Sequence, residues 1–151
     1  MKIVINNQHG GFGLSHEAIL RYLDLKGKPV WVRSDPAWKW SKQYSLVPFE
    51  ERIDNKDEYE LRTSPLGPKD WHEWSLEQRQ AWNEKYREQT FHDSDLERND
   101  PVLVQVVEEL GEDANGAHAE LKIVEIPDDV EWQIDEYDGV EWVAEKHRTW
   151  S

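Results

Sequence analysis

No cysteine occurs in the 151 residues, which excludes a disulfide framework, a thiolate nucleophile and any zinc site built on sulfur. Long apolar runs are missing too: nothing approaches the roughly 20 residues that a membrane-crossing helix needs. The opening, MKIVINNQHGG, holds a short strand-like start in place of the apolar core of a secretory signal. Basic residues are scarce. Lys and Arg number 18 against 32 Asp and Glu, a formal charge of −14 that opposes both non-specific nucleic-acid binding and anionic membranes. The expected setting is therefore the cytoplasm, with no membrane and no direct nucleic-acid contact.

Only 37% of residues are hydrophobic and 33% are charged, so any core must be economical. Nine tryptophans offset this, because each buries a large area and offers one N–H to a partner. A disordered chain would be poor in aromatics, so this one is expected to fold, as a single domain over 1–151.

Lys2–Asn6 alternates and is rich in β-branched residues, which predicts a strand. A glycine loop follows. Ser15 then caps a helix running to about Leu25, with Leu14 and Ile19 at the staple positions and Gly27 just past the end. Pro29–Arg33 reads as a second strand. From 34 to 68 the pattern dissolves into an irregular insertion, with one candidate strand at Tyr59–Arg62. Ser75 and Gln78 form a capping box for a helix over Leu76–Gln89, on which Trp82 and Tyr86 share a face. Asp100 and Pro101 open another helix that Gly111 ends, and Leu121–Ile126 is a strand. The fold class expected is α+β: a mixed sheet with a strand–glycine loop–helix–strand start, two middle helices and a carboxyl-terminal β-hairpin.

The hairpin has two candidate registers. A two-residue turn at Asp138-Gly139 sets Glu136 opposite Glu141 and Asp135 opposite Trp142, mixing polar and apolar residues on both faces. A three-residue loop, Tyr137-Asp138-Gly139, instead pairs Ile134 with Trp142 and Trp132 with Ala144, leaving Glu131, Asp135, Glu141 and Glu145 on the opposite face. Segregation of apolar from polar residues favours the second.

Three constellations carry candidate chemistry. Asp128 to Glu145 contains eight acids and no basic residue, and like charges facing one another across strands are destabilising. A basic protein partner would give this arrangement a purpose, with Glu131, Asp135, Glu141 and Glu145 as contacts; a divalent cation or plain solvation are the alternatives. Gly10-Gly11-Phe12-Gly13 with Ser15 lies at a helix amino terminus, where free N–H groups favour a phosphate, or else forms a tight turn that needs positive φ. At the carboxyl end, His147, Arg148 and Trp150 combine phosphate-binding and base-stacking groups, or else simply anchor the terminus.

Known catalytic patterns fail residue by residue. No phosphate-binding P-loop or dinucleotide fingerprint exists, and His16-Glu17 lacks the second histidine of a helical zinc site. Asp93, Asp95 and Glu97 resemble the start of a calcium loop, but Arg98 stands where glycine is required. No catalytic residue, metal or cofactor is assigned, and a non-enzymatic role is favoured.

Two blocks resemble a family of small phage and prophage proteins. One runs from Ile5-Asn6 to Gly10-Gly11-Phe12-Gly13-Leu14-Ser15, with His9 where that family often has tyrosine. The other comprises Asn99-Asp100-Pro101 to Gly111, Leu121 to Trp132, and Glu136-Tyr137-Asp138-Gly139 to His147-Arg148. The tryptophan-rich middle lies outside the resemblance. What the resemblance implies is a setting, the cytoplasm of an infected cell, where small proteins oppose host defence by sequestering a nucleotide signal or blocking a defence enzyme. The leading expectation is a phage-encoded protein that captures a small phosphate-containing ligand through Gly10, Gly11, Phe12, Gly13, Ser15, His147, Arg148 and Trp150. The second is an acidic inhibitor, or nucleic-acid mimic, acting on a basic host protein. The sequence leaves the oligomeric state open.

Overall fold

The computed structural model describes residues 1–35, 41–54 and 73–146. The candidate strand at Tyr59–Arg62 and the terminal His147, Arg148 and Trp150 lie outside them. Two compact units are present, Met1–Gly27 with Asp93–Ser151, and Lys28–His92.

In the first unit, strand β1 (Lys2–Asn6) is buried from Ile3 to Asn6. Helix α1 (His16–Leu25) follows the glycine loop and inserts Ala18, Ile19, Tyr22 and Leu23 into the core. The Ser15 hydroxyl accepts from the Ala18 N–H, and both staple residues, Leu14 and Ile19, are buried.

The second unit contains strands β2 (Trp31–Ser34) and β3 (Lys42–Ser45), helix α2 (Leu76–Gln89) and the two-residue strand β4 (Thr90–Phe91). They form an antiparallel sheet in the order β2-β3-β4. The capping box at Ser75 and Gln78 is complete, and Trp82 stacks on Tyr86 with ring centroids 5.2 Å apart. The Gln89 amide is buried, accepting from the Ile53 N–H at 2.7 Å and donating to the Glu51 carbonyl at 3.3 Å. Strand β3 falls inside the stretch expected to be irregular. Its sequence KQYS has little apolar alternation, so only cross-strand pairing reveals it.

The first unit resumes with helix α3 (Pro101–Leu110), whose Leu103, Val104, Val106 and Val107 are buried. Asp100 performs two tasks: its carboxylate caps α3 by accepting from the Val102 N–H at 2.9 Å, and it accepts the Tyr22 hydroxyl of α1 at 2.6 Å. Burial pushes this carboxyl up, but the Tyr22 hydroxyl, the Val102 amide and the Lys26 ammonium outweigh it and hold it below the ordinary range. The same desolvation, then the Asp100 bond, raises the Tyr22 phenol well above its usual value. Strand β5 (Leu121–Glu125) pairs antiparallel with β1, Val4 opposite Ile123.

The unit closes with β6 (Trp132–Tyr137) and β7 (Val140–Glu145). The α+β class is as expected. The mixed sheet is not: the described strands make three separate antiparallel sheets, and β1 pairs with β5 while β2 belongs to the other unit.

The hairpin register also differs from the expectation. Ile134 lies opposite Val143, Asp135 opposite Trp142, and Glu136 opposite Glu141, with a two-residue turn at Asp138-Gly139. Both turn residues have positive φ, 51° and 87°, the backbone of a type I′ turn that matches the natural strand twist. The three-residue loop would keep acids off the inward face. In the fold that face accepts an acid, because Glu141 is paired there.

Candidate functional site

The site is built where the glycine loop meets the hairpin, both within the first unit. Gly10 and Gly11 have φ of 124° and 104°, which side chains rarely adopt. The hairpin turn lies directly against them: a Cβ added at Gly139 would sit 2.6 Å from the Gly11 nitrogen and 2.7 Å from the Gly10 nitrogen. Glycine is therefore required on both sides of this seam, by conformation in the loop and by space in the turn.

Asn6, fully buried at the end of β1, ties the two together. Its side-chain N–H groups donate to the Gln8 and Gly139 carbonyls, each at 2.7 Å, and its oxygen accepts from the Glu120 N–H at 2.9 Å. Its backbone N–H donates to Glu141 at 2.7 Å. Glu141 is 6% exposed and also receives a two-pronged bond from Arg98, at 2.6 and 2.8 Å. The Arg98 guanidinium lies over the Phe12 ring, 3.6 Å from its centroid, and reaches the Val4 carbonyl at 3.3 Å. With three donors on its carboxylate, Glu141 anchors β7 to β1 and to the segment that leads into α3.

The loop residues expected to hold phosphate are brought together, and the groups at the loop's end, from the Gly13 carbonyl to Ser15, are engaged internally. The Leu14 N–H donates to Asp93 Oδ2 at 2.9 Å, so the carboxylate beside the amino terminus of α1 is the chain's own. Ser15 Oγ caps that helix and donates to the Asp113 carbonyl, while the Ser15 N–H donates to the Ala114 carbonyl at 2.9 Å. Gly13 accepts from the Gly116 N–H at 2.9 Å. Phe12 is covered by Arg98, and Arg98 is neutralised by Glu141. His147, Arg148 and Trp150, the other half of that expected pocket, fall outside the described residues.

The four hairpin acids do not share one exposed face. Asp135 stands with Trp142, whereas Glu141 is buried with Glu136 beside it and Glu145 lies opposite Trp132. The outward face instead carries Gln133, Asp135 and Tyr137 of β6 beside Val140, Trp142 and Ala144 of β7. Tyr137 is 76% and Trp142 46% exposed, two large aromatics presented to solvent within the acidic segment. Asp128 is held by the terminal amino group, which lowers its carboxyl through a hydrogen bond and then through charge. Among the described residues no cluster of three or more His, Asp or Glu is arranged to hold a metal ion, and no helix is long and apolar enough to cross a membrane.

Sequence reading missed Asn6, Arg98 and the inward role of Glu141. One signal was present: Asn6 ends an apolar strand whose every other residue past Lys2 is aliphatic, and a buried amide there demands partners. Arg98 gave no comparable signal, because its partner lies 43 residues away.

No family model, curated protein or solved structure matches this chain.

Proposed function

We propose that this protein is a binding module that engages a basic protein partner through the outward face of its β6–β7 hairpin. The observation that carries this reading is the exposure of Tyr137 and Trp142 on one face of a segment with eight acids and no basic residue. Aromatic anchors framed by charge are the usual makings of a recognition patch: the rings supply contact energy, and the carboxylates supply steering and discrimination. The partner's complementary surface is rich in Lys and Arg. In the setting implied by the resemblance to phage proteins, that partner is a host protein whose nucleic-acid or nucleotide site the outward face of the hairpin would occupy.

Capture of a small phosphate-containing ligand by the glycine loop is the reading the geometry favours less, because Asp93 already answers the Leu14 amide and places a negative charge there. The two readings separate in one experiment. The immobilised chain, challenged with host lysate at low and high salt, should retain basic proteins at low salt only, and Trp142→Ala should lose them. Proteins retained equally by Trp142→Ala and by high salt contradict the hairpin reading. A nucleotide that raises the melting temperature of the wild type, but not of a Gly11 variant, would restore the loop.

A further inference from the structure

The open edge of β6 suggests how such a partner is held. Lys146 N–H donates to the Glu131 carbonyl at 2.9 Å at the base of the hairpin, and the register runs from there to Tyr137 opposite Val140. In an antiparallel ladder the bonds fall on alternate residues. Residues 133, 135 and 137 therefore bond to β7, Glu131 bonds to Lys146 just past it, and the backbone groups of Trp132, Ile134 and Glu136 point away from it. Among the described residues none of those outward N–H and C=O groups has a partner.

Proteins usually blunt such an edge with lysine, proline or a bulge. Trp132–Tyr137 has no lysine, proline or bulge; the charges it carries, Asp135 and Glu136, discourage an acidic strand and not a basic one, and its six residues pair in unbroken register. The hairpin is also fixed on its other side. Gly139 is seated on Gly10 and Gly11, and Glu141 of β7 is gripped by Arg98 and Asn6. The free edge thus belongs to a pre-formed strand that would lose little freedom on binding.

Its charge selects the occupant. A second copy added antiparallel at this edge would bring Glu131, Asp135 and Glu136 against the same acids, which is destabilising. A strand bearing Lys or Arg would meet them with opposite charge.

We propose that β6 accepts an extended basic peptide segment as an added antiparallel strand, with its main chain bonded to Trp132, Ile134 and Glu136 and its cationic side chains on the outward face, over Glu131 and Asp135. This rests on the basic-partner reading and gives it a binding mode by main-chain pairing.

The test uses the full chain and a synthetic peptide alternating Lys or Arg with Val and Thr. Saturation with the peptide should slow hydrogen exchange at the Trp132, Ile134 and Glu136 amides. Methylating the peptide's alternate amide nitrogens should weaken binding about tenfold. Ile134→Pro removes an outward N–H that takes no part in the ladder, and should weaken binding to a similar degree. If that variant unfolds, the methylated peptide on the wild-type chain carries the test alone. Binding that leaves those three amides unprotected and is indifferent to methylation overturns strand addition while the basic-partner reading stands. No binding of the peptide at low salt overturns both.

Discussion

Arg98 and Glu141 form a two-pronged ion pair, at 2.6 and 2.8 Å, between the segment leading into α3 and the inward face of β7. The pair decides the hairpin register, because it makes an inward carboxylate tolerable. It also links the loop, through Phe12, to the hairpin. Removing one member of a buried pair strands the other. Glu141→Gln or Arg98→Met should therefore destabilise the fold by about 3–5 kcal/mol, whereas the double change Arg98→Met, Glu141→Leu should recover much of the loss. Urea unfolding of the three variants checks this; equal loss in the double variant would mean that the pair is not the unit.

The seam between Gly139 and the Gly10–Gly11 backbone predicts a graded response to alanine. Gly27 has φ of 68° but open space where a Cβ would go, so Gly27→Ala should cost about 1 kcal/mol from conformation alone. Gly139→Ala meets two backbone nitrogens as well and should cost clearly more. Thermal melts of both variants measure the difference, and equal costs would mean that the turn has room to shift.

Acid stability should depend on Asp100. Its carboxyl lies below the ordinary value of 3.8 in the folded chain, so its contribution is present above that pH and is lost as pH falls through the lower folded value. Asp100→Asn retains a capping side chain but does not titrate. Its melting temperature should therefore fall less steeply than that of the wild type below about pH 4. The Tyr22 phenol acts in the opposite direction: its raised value means stability present below 10.0 that declines as pH rises beyond it. Tyr22→Phe should flatten the alkaline limb.

The outward face of the hairpin should be separable from stability. Tyr137 is mostly exposed, so Tyr137→Ser should change unfolding free energy by no more than about 0.5 kcal/mol. Affinity for a captured basic partner should nevertheless fall about tenfold or more with this variant or with Trp142→Ala. Glu131→Gln with Asp135→Asn should reduce both affinity and its dependence on salt.

Much of the frame was legible where local chemistry is decisive. Ser15, the Ser75–Gln78 box and the Asp100-Pro101 start each satisfy helix-end N–H groups within a few residues, so composition alone locates α1, α2 and α3. What was not legible depends on distant partners. β3 is polar and is identified by pairing with β2 and β4, and the hairpin register turned on Arg98, far away in sequence. The same cause hid the state of the glycine loop. Its positive φ values follow from Gly10 and Gly11, but nothing near Leu14 indicated that Asp93 would occupy its amide.

The most direct test of the central claim is an amide chemical-shift map of the isotopically labelled chain, titrated separately with the basic peptide and with nucleotides. The peptide should move resonances from Glu131 to Glu145, and nucleotides should leave those of Gly10 to Leu14 in place. Shifts confined to Gly10–Leu14 on adding nucleotide, with a hairpin indifferent to the peptide, would contradict that claim.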